Sequence, residues 1–417
     1  MDIDPILKAL AAALAGDGPA LQLIPGDPEW ALPGVELVRD ARSSIKGDPV
    51  ASKEADDGGT DAAGGIAVVV ATSGSTGKPK QTLLSTEALA ASSMATAIAL
   101  GGEGQWLLAL PAHYVAGIQV LVRSLFAGTR PVLMDRSGGF TVEAFTAAAA
   151  QMTDAVRYVS LVPTQLQRLL ERPTPETLAV LRRFNAILLG GAPAGPALLD
   201  TARDAGVRVV TSYGMSETCG GCVYDGVPLE GVQVAIRAGR IWLGGDVVAS
   251  GYRHAPALTS ASFSVTESIP GSGQDAGPVS GHGLVRWYKT EDAGELSADG
   301  KLTVTGRIDD VIITGGLKVS ANIVAEQLKL VRGVRDAFVL GLPDREWGQR
   351  VAAAVVGNCS REELGGEAQA LLPAWAVPKT ILFVPEIPML PTGKPDRLAL
   401  KQMLDKELNR GHSRSMD

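Results

Sequence analysis

From Gly65 onward, short β-branched apolar runs alternate with longer Ala- and Leu-rich stretches whose apolar residues recur every three or four positions. An unbroken short apolar run or a period of two marks a strand, and a period near 3.6 marks a helix. The first pattern predicts strands over Ile66–Ala71, Trp106–Leu110, Pro131–Met134, Arg157–Val162, Ala186–Leu189 and Val207–Thr211. The second predicts helices over Thr86–Leu100, Gly117–Phe126, Val142–Met152, Gln165–Glu171 and Pro196–Asp204. Such alternation implies a largely parallel sheet covered on both faces. Ser44–Gly65 and Thr266–Gly283, rich in Gly, Ser, Asp and Pro, read as surface loops. Past Arg307 a shorter series follows: a strand Val311–Ile313, a helix Ile323–Val331, strands Ala337–Leu340 and Arg350–Val356, and a terminal helix Arg397–Leu408. It amounts to a second domain of about 110 residues, an ordinary size. The boundary falls near Asp309, giving domains 1–308 and 309–417.

Composition narrows the class. At 46% hydrophobic and 20% charged, the 417 residues describe a folded protein rather than a disordered or membrane-embedded one. The net charge of −7 argues against a nucleic-acid surface. The longest apolar runs, such as Ile66–Ala71, fall far short of the roughly 20 residues needed to span a bilayer. Asp2 and Asp4 precede the short apolar stretch Ile6–Leu14, the opposite of a signal peptide's charge. Three cysteines make no disulfide framework and fit a reducing compartment. A soluble cytoplasmic protein is expected, with a homodimer as the default oligomer.

The chemistry concentrates after the first strand, in Thr72-Ser73-Gly74-Ser75-Thr76-Gly77-Lys78-Pro79-Lys80. Glycines allow tight turning, hydroxyls and bare amides donate hydrogen bonds, and lysine adds positive charge, which together suit a phosphate. It is not a Walker A loop, because Thr72 stands where the first glycine belongs and Pro79 where Ser or Thr should follow Lys78. The alternative for such a segment is a plain surface turn. Cys219-Gly220-Gly221-Cys222 invites a metal or redox reading, yet structural zinc needs about four ligands. Only Cys359 and the scattered His113, His254, His282 and His412 remain to supply them.

The loop resembles the phosphate-binding signature of the acyl-adenylate-forming (AMP-binding) superfamily, which includes acyl-CoA synthetases, peptide-synthetase adenylation domains and luciferases. Further motifs resemble that superfamily in the right order: Gly190-Gly191-Ala192-Pro193, Tyr213-Gly214-Met215-Ser216-Glu217-Thr218, Tyr288-Lys289-Thr290-Glu291-Asp292, Gly306-Arg307-Ile308-Asp309-Asp310 and Pro391-Thr392-Gly393-Lys394. The resemblance implies an α/β fold: a large N-terminal adenylate-forming domain with mainly parallel sheets flanked by helices, and a small mobile α+β C-terminal domain. It also implies an ATP-dependent acid–CoA ligase that makes an acyl-adenylate and pyrophosphate, then acyl-CoA and AMP, with Mg2+ as cofactor and ATP and CoA as co-substrates.

Residue by residue, the resemblance assigns ATP or AMP binding to Thr72, Ser73, Gly74, Ser75, Thr76, Gly77, Lys78, Gly191, Ala192, Pro193, Ser212, Tyr213, Gly214, Met215, Ser216, Asp292 and Arg307. Asp292 would hold the ribose hydroxyls. Glu217 would bind magnesium, as a hard divalent ion prefers carboxylate oxygen, its alternative being a solvated carboxylate at a helix start. Lys394, on a loop bounded by Pro391 and Pro395, would bridge the carboxylate and the α-phosphate, although a lone lysine near a C-terminus is usually only solvated. Asp309 matches the hinge position, and Gly315-Gly316 would admit the pantetheine arm of CoA unless they form an ordinary turn. His113, in Pro111-Ala112-His113-Tyr114, is similar to a residue beside the acid pocket and would position substrate; its alternative is a structural histidine. Cys219 and Gly220 would line that pocket, the glycines thinning its wall. Glu291 stands where relatives usually carry glycine, a departure that bears on the local turn next to Asp292.

Within the superfamily, Tyr213–Asp225 and the modest length look most like the o-succinylbenzoate–CoA ligases of menaquinone biosynthesis. That implies an aromatic dicarboxylic acid as substrate, with a cationic group for its second carboxylate. Another aryl- or short-chain acyl-CoA ligase, a stand-alone adenylation enzyme and a non-catalytic nucleotide-binding protein remain the competing readings.

Overall fold

The computed structural model describes residues 3–25, 33–38, 41, 65–72, 80–266, 284–389 and 395–414. The chain divides into two compact units. The larger takes in the described residues up to Ala235, together with Trp242–Thr290 and Ala298–Leu302. The smaller comprises Ile236–Ile241, Glu291–Ser297 and the residues from Thr303 onward, so Asp309 lies inside it.

In the larger unit a seven-stranded sheet runs in the order Val227–Pro228, Gly220–Tyr224, Val209–Met215, Ala186–Leu189, Arg157–Leu161, Gln105–Leu108, Val132–Leu133. The last five are parallel, as their near-continuous apolar runs predict. One cluster joins Leu107, Val159 and Ile187 of these strands to Phe145, Leu166, Leu169 and Leu181. Those four lie on the helices Val142–Ala150, Pro163–Glu171 and Pro175–Arg182. A five-stranded sheet orders Gly251–Tyr252, Lys80–Ser85, Ile66–Thr72, Ala20–Ile24 and Gly34–Val38, with only Ala20–Ile24 and Ile66–Thr72 parallel. Parallel pairing therefore dominates one sheet and is the exception in the other.

The helix Thr86–Leu100 matches its predicted bounds. Ser85 starts it by accepting from the Ala88 amide at 3.1 Å, and Gly101 ends it in the left-handed region. Among the described residues, four helices that periodicity did not mark are present, Asp4–Leu14, Pro175–Arg182, Pro256–Ser262 and Arg361–Leu371, and the second and fourth carry side-chain caps. Thr174 accepts from the Thr177 amide ahead of Pro175–Arg182, and Ser360 and Glu363 form a capping box for Arg361–Leu371.

In the smaller unit a sheet orders Leu317–Ser320, Val311–Thr314, Gly348–Gly357 and Val334–Asp344, with Thr380–Phe383 parallel to Gly348–Gly357. Val351, Ala353 and Val355 face the cluster of Val324, Leu328, Leu364 and Ala368. Ala352, Ala354 and Val356 face Leu400 and Leu404 of the helix Arg397–Arg414. Burial on both faces explains why this strand reads as one apolar run. Among the described residues, no helix is long and apolar enough to cross a membrane.

Candidate active site

Open α/β sheets gather ligand sites beyond the carboxyl ends of their parallel strands. Three of the motifs leave from such ends in the larger unit. Ala186–Leu189 leads into Gly190-Gly191-Ala192-Pro193, and Val209–Met215 contains Ser212, Tyr213 and Gly214 and leads into Ser216-Glu217-Thr218. These two strands are neighbours, with Leu189 opposite Thr211, so their outgoing segments emerge together. Gln105–Leu108 leads into the His113 segment, and the helix Val115–Phe126 follows directly.

A buried polar knot ties the His113 helix to the Glu217 turn. Gln119 donates to the Cys219 carbonyl and to Ser92 Oγ, and Ser92 Oγ donates to the same carbonyl at 3.2 Å. Thr218 Oγ1 accepts from the Met215 amide at 3.0 Å and donates to the Gly220 carbonyl at 2.8 Å, fixing the turn that presents Glu217. Glu217 itself is buried, and its Oε1 accepts a hydrogen bond from the Tyr252 hydroxyl at 2.7 Å. Burial first, then the Glu217 carboxylate and Tyr288, raise the Tyr252 phenol above its usual range, so it remains a donor.

The glycines here have a backbone purpose. Gly214 and Gly221 face each other across an antiparallel pair. A Cβ on Gly214 would lie 2.1 Å from the Gly220 carbonyl oxygen, and one on Gly221 would lie 1.9 Å from Ser212 Oγ. Gly214→Ala is expected to lower stability by about 1–3 kcal/mol through overpacking, read as a lower denaturation midpoint. The cysteines flanking this pair are buried and free. Burial pushes Cys222 up to about 12 and raises Cys219 as well. Metal binding and redox exchange both use the thiolate, and among the described residues no group of three or more His, Cys, Asp or Glu is placed to hold a metal. Both side chains are therefore protonated thiols at neutral pH.

The smaller unit brings Asp292 and Arg307 together, with Asp292 Oδ1 3.8 Å from the guanidinium. Glu291 does not bend a turn: it lies within the continuous strand Val285–Leu296 and pairs with Arg240 at 2.8 Å. Alternation along a strand puts it on the face opposite Asp292. Gly315 and Gly316, at φ +56° and +78°, form the two-residue turn of the hairpin Val311–Ser320. A Cβ on Gly315 would meet the Trp347 ring at 2.6 Å. Asp309 falls in the short turn Ile308–Asp310.

The loop residues Ser73–Lys78 and Lys394 lie outside the described residues. Their flanks are held: Thr72 pairs opposite Lys80, and Met389 bridges to Pro395.

Comparison with known proteins decides the family. The AMP-binding enzyme family matches residues 22–252, and the AMP-binding enzyme C-terminal domain matches residues 324–394. The chain belongs to the AMP-binding enzyme family. It is 39% identical over 405 residues, 95% of this chain and 94% of the other, to the probable 2-succinylbenzoate–CoA ligase of Mycobacterium tuberculosis H37Rv. Among solved structures it resembles the o-succinylbenzoate CoA synthetase MenE of Bacillus subtilis in complex with the acyl-adenylate intermediate OSB-AMP, at TM-score 0.67 and 28% identity. That match covers 81% of this chain and 69% of the other. The same synthetase in complex with ATP and magnesium matches at TM-score 0.66 and 27% identity, covering 82% and 70%.

For an AMP-binding enzyme the donor set suits magnesium delivered with a nucleotide. Mg2+ is typically bound through one or two carboxylates plus substrate phosphates, and Glu217 offers one buried carboxylate whose second oxygen is not held by Tyr252. His113 is buried, its Nε2 lacks a hydrogen-bond partner, and its ring packs 4.1 Å from Tyr114. An unsatisfied buried nitrogen costs free energy, so a ligand atom has reason to bind there.

Burial, with Arg136 nearby, lowers His113 from its ordinary 6.5 to about 4, leaving the ring neutral at physiological pH. Because the folded form binds fewer protons, His113 contributes stability that is present above about pH 6.5 and lost progressively as pH falls toward 4. His113→Gln should flatten that part of a stability–pH curve measured by denaturant unfolding, and leave the slope above pH 7 unchanged.

Tyr252, Gln119 and Ser92 escaped the sequence reading. Each acts on the Glu217 turn across a long sequence separation, which no local pattern records.

Proposed function

We propose that this chain is an AMP-forming acid–CoA ligase whose acid is o-succinylbenzoate. The observation that carries the reading is the 39% identity to a probable 2-succinylbenzoate–CoA ligase over 95% of this chain, through both family regions. The buried Glu217 turn and the neutral His113 support it, because they furnish a nucleotide-linked carboxylate and a polar contact for an acid.

In this mechanism an oxygen of the substrate carboxylate attacks the α-phosphorus of ATP, and the bond to pyrophosphate breaks. The loop Thr72–Lys78 cradles the phosphates with backbone amides and hydroxyls. Lys394 spans the carboxylate and the α-phosphate, countering charge as it develops. Glu217 would hold the magnesium, which when bound neutralises phosphate charge. The segment Gly191–Pro193 and Ser212–Ser216 line the adenosine, Asp292 accepts from the ribose hydroxyls, and Arg307 steadies Asp292. His113 orients the acid without moving a proton. The CoA thiol then attacks the adenylate carbonyl and AMP leaves, with Gly315-Gly316 admitting the pantetheine arm and Asp309 serving as the pivot between half-reactions.

The second carboxylate calls for a cationic partner.

ATP–pyrophosphate exchange tests the reading. Exchange that depends on o-succinylbenzoate supports it. Exchange with other acids alone would discard the acid and keep the reaction, while ATP binding without exchange would favour a non-catalytic nucleotide-binding protein.

A further inference from the structure

Glu217 is gripped twice by one short segment. The Ala249 amide donates to its backbone carbonyl at 2.9 Å, and three residues later the Tyr252 hydroxyl donates to its carboxylate at 2.7 Å. Tyr252 lies on the strand Gly251–Tyr252, paired to Lys80–Ser85 with Tyr252 opposite Thr82. Its ring is fixed by an edge contact with Phe263 at 5.3 Å, and the Lys80 ammonium stands 5.4 Å from its centroid. Lys80 is the residue at which the chain returns from the glycine-rich loop, so loop and carboxylate share one aromatic support.

A carboxylate offers about four lone-pair directions on two oxygens. A hydrogen bond that commits Oε1 leaves Oε2 in a defined orientation, whereas an unrestrained glutamate would have to be ordered when the metal arrives. We propose that Tyr252 is a positioning residue whose hydroxyl sets the Glu217 carboxylate for the magnesium that accompanies ATP. The proposal rests on the reading of Glu217 as the magnesium ligand.

The test uses the full chain with Mn2+ as a paramagnetic probe, following Mn2+·ATP binding by electron paramagnetic resonance. AMP without metal is titrated in parallel. Tyr252→Phe keeps the ring and its contact with Phe263, and an unchanged melting temperature verifies the fold. The expected result is about a 10- to 100-fold weaker Mn2+·ATP affinity, with AMP affinity within about twofold of wild type. In a Glu217→Gln background the same substitution should add nothing, since the hydroxyl acts through that carboxylate.

Three results would overturn the proposal. Wild-type Mn2+·ATP binding by Tyr252→Phe, with a loss in Glu217→Gln, removes Tyr252 from the metal's support and leaves the Glu217 reading standing. Equal losses of AMP and Mn2+·ATP affinity would assign Tyr252 a general structural role. Wild-type binding by both single variants removes Glu217 as the ligand and the proposal with it.

Discussion

Lys394→Ala separates the two half-reactions. Acid-dependent ATP–pyrophosphate exchange should fall by about 10²–10³-fold, the usual effect of deleting a donor aimed at developing charge. Conversion of supplied acyl-adenylate and CoA into thioester should change by no more than about threefold, because the phosphoryl chemistry is already complete. The measurement is a pair of rates on one preparation. Equal losses in both steps would remove Lys394 from its assigned role. Nothing in the composition of Pro391-Thr392-Gly393-Lys394 distinguishes it from a solvated loop; its order behind the other motifs does.

Arg123→Met should lower stability and leave acid choice unchanged. Arg123 is buried in the last turn of Val115–Phe126, and its guanidinium lies 5.0 Å from the Trp106 ring, at the amino end of the strand Gln105–Leu108 and away from His113. A desolvated cation–π contact is worth about 2 kcal/mol, so the denaturation midpoint should fall. The ratio of kcat/KM for o-succinylbenzoate to that for a monocarboxylic aryl acid should stay within about twofold. A loss confined to o-succinylbenzoate would contradict this and put Arg123 at the second carboxylate. Its burial could not be read locally: Val122-Arg123-Ser124 resembles any helix with one solvated cation, and only the tertiary packing removes it from water.

The same distinction between local and long-range information runs through the fold. Thr86–Leu100 and Pro196–Asp204 were legible to the residue because each begins at a chemical start signal, Ser85 and Pro196, and carries its apolar residues at helical spacing. The parallel strands were legible because burial on both faces makes them unbroken apolar runs. Arg361–Leu371 was not, since Gly365 and Gly366 interrupt its middle. Apart from Val285–Leu296, the antiparallel strands between Gly220 and Arg307 are short, and periodicity over so few residues is weak evidence.

At the site, the segments carrying His113, Gly190-Gly191 and Glu217 follow the strands Gln105–Leu108, Ala186–Leu189 and Val209–Met215. The purpose of Gly214 and Gly221 emerged only from the 2 Å approaches a side chain would make. Glu291 sits in no turn, because the strand Val285–Leu296 runs through it, and its charge is met by Arg240, which is 51 residues away in sequence.

The central claim is that one chain joins a carboxylic acid to CoA through an adenylate. It is tested most directly by incubating the purified protein with ATP, Mg2+, CoA and o-succinylbenzoate, beside a panel of benzoates and short acids, and detecting AMP and thioester by mass. Equal amounts of AMP and o-succinylbenzoyl-CoA are expected, with no thioester when ATP is omitted. AMP and thioester absent with every acid would contradict it.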